Sequence, residues 1–265
     1  MFEPLPTLRP PSRPDPAWAR HLPARAAVDW LARGWADLRA DPGPSLAYGA
    51  ALGALSYALL FALHAFGLLY LALPAVSGFL IVGPFLAIGL YEKSRRRAAG
   101  GRASLADMVA LSPASGGQLA YAGLFLGLLV LFWLRAADLL YALFFGLTPF
   151  PGAEEALTNA FTTPRGWTLI ATGTLVGGLF AAFAFAVSVF SIPMLVSTRR
   201  DALTAMGTSL AMTVQNLRPM LAWGAIVTLG LAVSALTGLV ALVVVFPVLG
   251  HGTWHAWRAI AAGTG

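Results

Sequence analysis

The stretch PAVSGFLIVGPFLAIGLYEKSRRR, residues 74–97, decides how the rest of the chain is read. From Pro74 to Tyr91 it carries no charged side chain. Then Glu92, Lys93, Arg95, Arg96 and Arg97 follow almost at once. A helix needs roughly 18–20 apolar residues to cross a hydrocarbon core. A cluster of arginines at one end of such a run is held on the cytoplasmic side. The stretch therefore reads as a membrane span with its basic end inside the cell.

Working outward, five more apolar runs have comparable length. They lie at about Ser45–Leu63, Gln118–Arg135, Trp167–Phe190, Met220–Leu236 and Leu239–Trp254. The composition agrees. Of 265 residues 58% are hydrophobic and 11% charged, with a mean hydropathy of +0.75. Soluble domains average about 25% charged residues, so most of this surface faces something other than water. The expected fold is all-α, a polytopic membrane helical bundle of about six transmembrane helices.

The net charge of +6 is distributed in the same sense. With six spans and the N-terminus inside, every basic residue except Arg135 and Arg165 falls on the cytoplasmic side. The basic balance is thus a topology signal, and no nucleic-acid partner is expected. Residues 1–26, rich in Pro and Arg, lack the apolar core of a signal peptide. They read as a disordered cytoplasmic tail ahead of a six-span membrane domain at 27–260. There is no cysteine, so thiolate chemistry and disulfides are excluded.

Short amphipathic helices are expected between the spans. In AVDWLARGWADLR, residues 27–39, Val28, Leu31, Trp35 and Leu38 recur at helical spacing, and Asp29, Arg33 and Asp37 lie four apart. This reads as a helix flat on the inner leaflet, apolar stripe inward and charged ladder toward water. The segment from Asp201 repeats the pattern with Leu203, Met206 and Leu210, and a weaker version carries Leu105, Met108 and Val109. The chain also aligns with itself. Val28 falls on Leu203, Trp35 on Leu210, Pro44 on Pro219, Tyr48 on Trp223 and Gly49 on Gly224. Pro84 falls on Pro247, Gly89 on Gly252, Tyr91 on Trp254 and Arg95 on Arg258. The expected unit, an amphipathic helix plus a transmembrane hairpin, occurs three times.

Two places could carry chemistry. HGTWHAWR, residues 251–258, puts His251 and His255 on one helix face. Their repeat partners are Ile88 and Glu92, and no histidine on a facing span lies at similar depth. The segment therefore reads as an interfacial belt, with Trp30, Trp35, Tyr91, Trp254 and Trp257 as anchors, and no metal or cofactor is expected. The second place is Arg135 with Asp138, three apart at the outer end of the third span, a candidate intramembrane polar site. No nucleophile elbow, phosphate loop or zinc motif occurs, so no enzyme is expected.

SGFLIVGPFLAIGLYEKSRR at 77–96 and FSIPMLVSTRRDALTAMGTSLAMTVQNLRPMLAWGAIV at 190–227 resemble the bacterial integral-membrane family catalogued as domain of unknown function 2189. The likeness extends over roughly residues 27–260. It implies a multi-pass protein of the bacterial inner membrane, both termini cytoplasmic, with no established activity and no catalytic residues to carry over. The functional expectation is a non-enzymatic accessory, assembly or regulatory component. Its partners would be the lipid bilayer and another membrane protein complex or a second copy of itself. The alternative is a transporter or channel for a small or lipidic substrate between the repeats.

Overall fold

The computed structural model describes residues 18–146 and 152–262. These residues are helical almost throughout, in an all-α bundle. Expectations for 1–17 and 147–151 lie outside the described residues. Trp18 and Leu22, expected in the tail, pack against the bundle. The Trp18 and Arg20 backbone amides donate to Gln215 Oε1 (2.8 Å) and Asn216 Oδ1 (3.0 Å), and Arg20 Nε donates to the Ile260 carbonyl at 2.8 Å.

Helix α1 spans Ala26–Ala40 and α2 spans Pro42–Ala65, entered through prolines that suit a first helical turn. Then α3, Ala72–Leu86, and α4, Ile88–Ala98, form one descending arm broken at Ala87. Pro84 lies inside α3, where it cannot donate to the preceding turn, and Tyr48 Oη donates to the Leu86 carbonyl at the break (2.7 Å). After the one-turn α5, Leu105–Val109, the long α6 runs Gly116–Phe145. Helix α7, Ala153–Thr162, leads to α8, Pro164–Ser188, whose start is capped by Thr163 Oγ1 accepting from the Gly166 amide at 3.0 Å. The arm ends in α9, Ser191–Ser197, and α10, α11 and α12 follow at Ala202–Gln215, Leu217–Leu236 and Leu242–Ala261.

Five helical stretches are long and apolar enough to cross a membrane: Pro42–Ala65, Pro74–Ala98, Gly116–Phe145, Pro164–Ser197 and Leu217–Leu236. The sixth expected span does not meet that standard. It begins late, because Gly238 and Leu239 make the turn with positive φ (59° and 67°). Its second half also carries His251, Thr253, His255 and Arg258. Yet α12 lies antiparallel to α2 along its length. Ser45 meets His251 near one end, Gly49 meets Val243 and Pro247 midway, and Tyr57 Oη donates to the Gly238 carbonyl at the other. Twelve of the 20 residues of α12 are buried. A helix covered by protein has no need of an apolar surface.

Helix α1 supplies much of that cover, and it does so with an unexpected face. Ala27, Trp30, Gly34, Asp37 and Leu38 are buried, whereas Val28 and Trp35 of the expected membrane stripe are exposed. Gly34 is why α1 can lie so close. A Cβ there would strike the Val248 carbonyl oxygen and stand 2.7 Å from the Gly252 nitrogen. Helix α10 behaves alike: Ala202, Ala205, Met206 and Ser209 are buried, and Leu203 is 79% exposed. Close helix contacts in membranes use small and polar residues, leaving the large apolar ones for lipid.

Candidate functional site

Of the histidines of HGTWHAWR, one is enclosed by protein and the other, His255, is half-buried. His251 is fully buried, on the side of α12 covered by α1, α2 and α4. Its Nε2 lies 2.9 Å from Ser45 Oγ and its Nδ1 lies 2.8 Å from Ser94 Oγ. Ser94 donates to Asp37 Oδ2 at 2.7 Å, and the same oxygen lies 2.9 Å from His255 Nε2. Arg97 Nε pairs with the other Asp37 oxygen at 3.0 Å. At the far end, Lys93 Nζ donates to Ser45 Oγ at 2.9 Å and to the Asp41 carbonyl, and lies 3.4 Å from Asp41 Oδ2.

Proton counting fixes the direction of this chain. Ser94 spends its one proton on Asp37, so it must accept from His251 Nδ1–H. His251 Nε2 then accepts from Ser45, and Ser45 accepts from Lys93. A neutral His251 thus completes an unbroken run of hydrogen bonds from a buried ammonium to a buried carboxylate. Burial pushes the Asp37 carboxyl up, but the hydrogen bonds from His255 and Ser94 and the charge of His255 outweigh it and hold it below the usual carboxylate range. Each side chain of this run has a partner, which is the condition under which such a network stabilises rather than disrupts a core.

A second polar cluster adjoins it. Glu92 receives Arg95 and Arg96, both through Nε at 2.7 Å, and Arg96 reaches on to Asp107 at 2.9 Å. Asp107 also closes a capping box with Ser104 at the start of α5. The Ser104 hydroxyl and amide, followed by Arg96, hold its carboxyl down at about 2. Together the two clusters tie α1, α2, α4, α5 and α12 at the basic end of the bundle.

Chemically, Ser45, His251, Ser94 and Asp37 resemble the order of nucleophile, base and orienting acid. But Ser45 and His251 are fully buried and Ser94 is 2% exposed. No reacting group can reach Ser45 Oγ in this arrangement. Among the described residues no set of three or more His, Asp or Glu side chains is placed to hold a metal ion.

The other sequence candidates fall elsewhere. Arg135 and Asp138 meet each other at 3.2 Å on α6, with the arginine 82% exposed, and neither joins the network. Of the five expected interfacial anchors, Trp30, Tyr91, Trp254 and Trp257 are buried in the protein and Trp35 alone is exposed. They pack edge to face or against one another, Trp30 on Trp223 (6.0 Å) and Trp254 on Trp257 (4.8 Å). Trp257 Nε1 is buried and has no acceptor among the described residues. Ser45, Lys93 and Ser94 were not singled out by sequence, and Asp37 was read as part of a charged ladder facing water. A usable signal existed, because Ala27, Gly34 and Asp37 share a helix face, and small residues mark protein contact.

Residues 72–197 match the model of a family described as predicted integral membrane protein, domain of unknown function 2189. The match runs from α3 through α9 and is narrower than the likeness expected over 27–260. Lys93 and Ser94 lie inside the matched stretch; Asp37, Ser45, His251 and His255 lie outside it. No curated protein and no solved structure matches the chain.

Proposed function

We propose that this integral membrane protein is a non-enzymatic accessory, assembly or regulatory component that packs against another membrane protein complex. The observation that carries the reading is the network itself. Side chains able to do chemistry, Asp37, Ser45, Lys93, Ser94 and His251, are spent on one another inside the protein. They act as a clamp between helices. The lipid-facing spans meanwhile present large apolar side chains, and the charged pair on them among the described residues, Arg135 with Asp138, is self-paired.

In this reading the basic end faces the cytoplasm of a bacterial inner-membrane protein, and both termini lie there. The order of elements favours three repeated units: α1, α2 and the α3–α4 arm; α5, α6 and the α8–α9 arm; α10, α11 and α12. Reporter fusions after Arg97, Arg200 and Arg258 should report cytoplasm, and one at Gly152 the opposite side. The function is tested by purifying tagged protein at native expression in mild detergent through two successive affinity steps. A membrane-protein partner in fixed stoichiometry is the expected result. Protein that emerges alone, and that carries a solute across liposomes when reconstituted, would replace this reading with the transporter.

A further inference from the structure

The amphipathic helices obey one rule of placement. Helix α5 packs on α4 and α2, α10 packs on α8, α9 and α6, and α1 packs on α12 and α11. Helices α5 and α10 thus each sit on the arm and the first span of the preceding unit. For α1 that place is taken by the last unit, α10 to α12. The first spans are set alike. Helix α6 lies against α3 and α2 against α12, and on α11 a Cβ at Gly224 would touch Phe185 of α8 at 4.0 Å. Three steps in one direction, the third returning to the start, make a ring.

The contacts correspond residue by residue. In the register that sets Val28 on Leu203, α1 and α10 bury matching positions: Ala27 and Ala202, Gly34 and Ser209, Asp37 and Met212. They also expose matching ones, Val28 and Leu203, Trp35 and Leu210. The arms agree as well. A Cβ on Gly89 would stand 2.5 Å from the Met108 carbonyl oxygen of α5 and 2.7 Å from the Tyr48 ring. On its counterpart Gly252 it would stand 3.2 Å from the Trp30 carbonyl oxygen of α1 and 2.5 Å from the Trp223 ring. Tyr48 and Trp223 are themselves counterparts. In both places a glycine lets a seated helix and an aromatic ring close on the arm together. The two rings even reach the same level. Tyr48 Oη donates to the Leu86 carbonyl. Trp223 Nε1 donates to Thr253 Oγ1 at 3.3 Å, which donates to the Leu249 carbonyl, in the position of Leu86.

The joints between units differ in one respect. Residues 99–104 link α4 to α5, and residues 198–201 link α9 to α10. Helices α12 and α1 meet through contact alone, with Arg20 on the Ile260 carbonyl and Asp37 on His255. We infer that the three units form a closed ring around a pseudo-threefold axis, and that α1 is the strap that closes it, a non-covalent joint standing where the other two joints are peptide. This rests on the reading of three repeated units, and it stands whether or not a protein partner exists.

The natural chain has no cysteine, so single thiols can report each seat. Ala27→Cys, Met108→Cys and Ala205→Cys place one on α1, α5 and α10 where the native side chain is buried. A water-soluble maleimide reads their labelling rates in the full chain in mild detergent. Gly89→Leu should speed labelling on α5 about tenfold or more, and Gly252→Leu should do the same on α1. Each should leave the thiol on α10 at its original rate. The joint is tested by a circular permutant that links Gly265 to Met1 and opens the exposed Gly100–Gly101 bond between α4 and α5. The strap then changes places. Labelling on α1 should slow severalfold, labelling on α5 should speed up severalfold, and α10 should be unaffected, because a tether raises effective concentration at its own seat. If either glycine variant leaves its own helix sealed, or loosens all three alike, the equivalence of the units is overturned. If the permutant labels as the natural chain does, or opens all three seats together, the closed ring is overturned.

Discussion

Helices α6 and α12 are both long enough to cross a membrane, and they solve opposite problems. Of the 30 residues of α6 four are buried, Leu119, Ala122, Leu126 and Trp133. Its outward side chains, Leu124, Leu131, Phe132, Leu139 and Leu143 among them, are large and apolar. Helix α12 turns more than half of its residues inward and carries histidine, threonine and glycine there. Charge follows the same division. On α6 an arginine and an aspartate meet at the surface and stand alone. At α12 a carboxylate, an imidazole and two hydroxyls form a sealed series. A helix facing lipid must be apolar by its own composition, whereas a shielded helix can be polar if its neighbours answer each group.

The comparison can be broken at the shield. Gly34→Leu drives a side chain into the Val248 carbonyl and the Gly252 backbone. It should separate α1 from α12 and cost about 3 kcal/mol or more, read as loss of the monodisperse peak in detergent chromatography. A leucine at Gly127 on α6, where a Cβ meets nothing within 4 Å, should leave the peak intact. Next comes the network. His251→Ala strips partners from both Ser45 and Ser94 and should lower the unfolding free energy by about 2–4 kcal/mol, measured by denaturant titration in mixed micelles. If it matched Arg135→Ala, the network would contribute no more than a surface pair.

A pH titration sharpens the contrast. Asp37 is held below its ordinary value of 3.8, so its stabilisation is fully present above that pH. It is lost as pH falls through the lower, folded value. Melting temperature should drop more steeply below about pH 4 in the wild type than in Asp37→Asn, which has already given up the charge. The smallest effect belongs to α6: Arg135→Ala should change stability by less than about 0.5 kcal/mol, as exposed pairs do.

The long spans were legible because length and lack of charge are local properties. So was the gathering of arginines at one end. Which way a short helix faces was not. The periodicity of 27–39 and of the segment after Asp201 was read correctly as helical, but the face of 27–39 that carries Asp37 was assigned to water and instead packs on the bundle. In water the large apolar face is the buried one. In a bilayer Val28, Trp35 and Leu203 can stay outside while Ala27, Gly34 and Ser209 pack. The spacing of His251 and His255 was visible too. Their partner was not, because Asp37 comes from the opposite end of the chain and had been assigned to solvent.

Asp37 and His255 are 218 residues apart. At about 5–20 residues per second of synthesis, α1 leaves the ribosome roughly 10–45 s before the helix that completes its binding surface. Until then Asp37 has no histidine, Gly34 has no partner backbone, and α1 has no reason to leave the aqueous boundary. A chain terminated anywhere before α12 keeps that first helix loose and its carboxylate in water. Helix α1 is therefore made early and seated late, and its docking reports that α12 has been delivered.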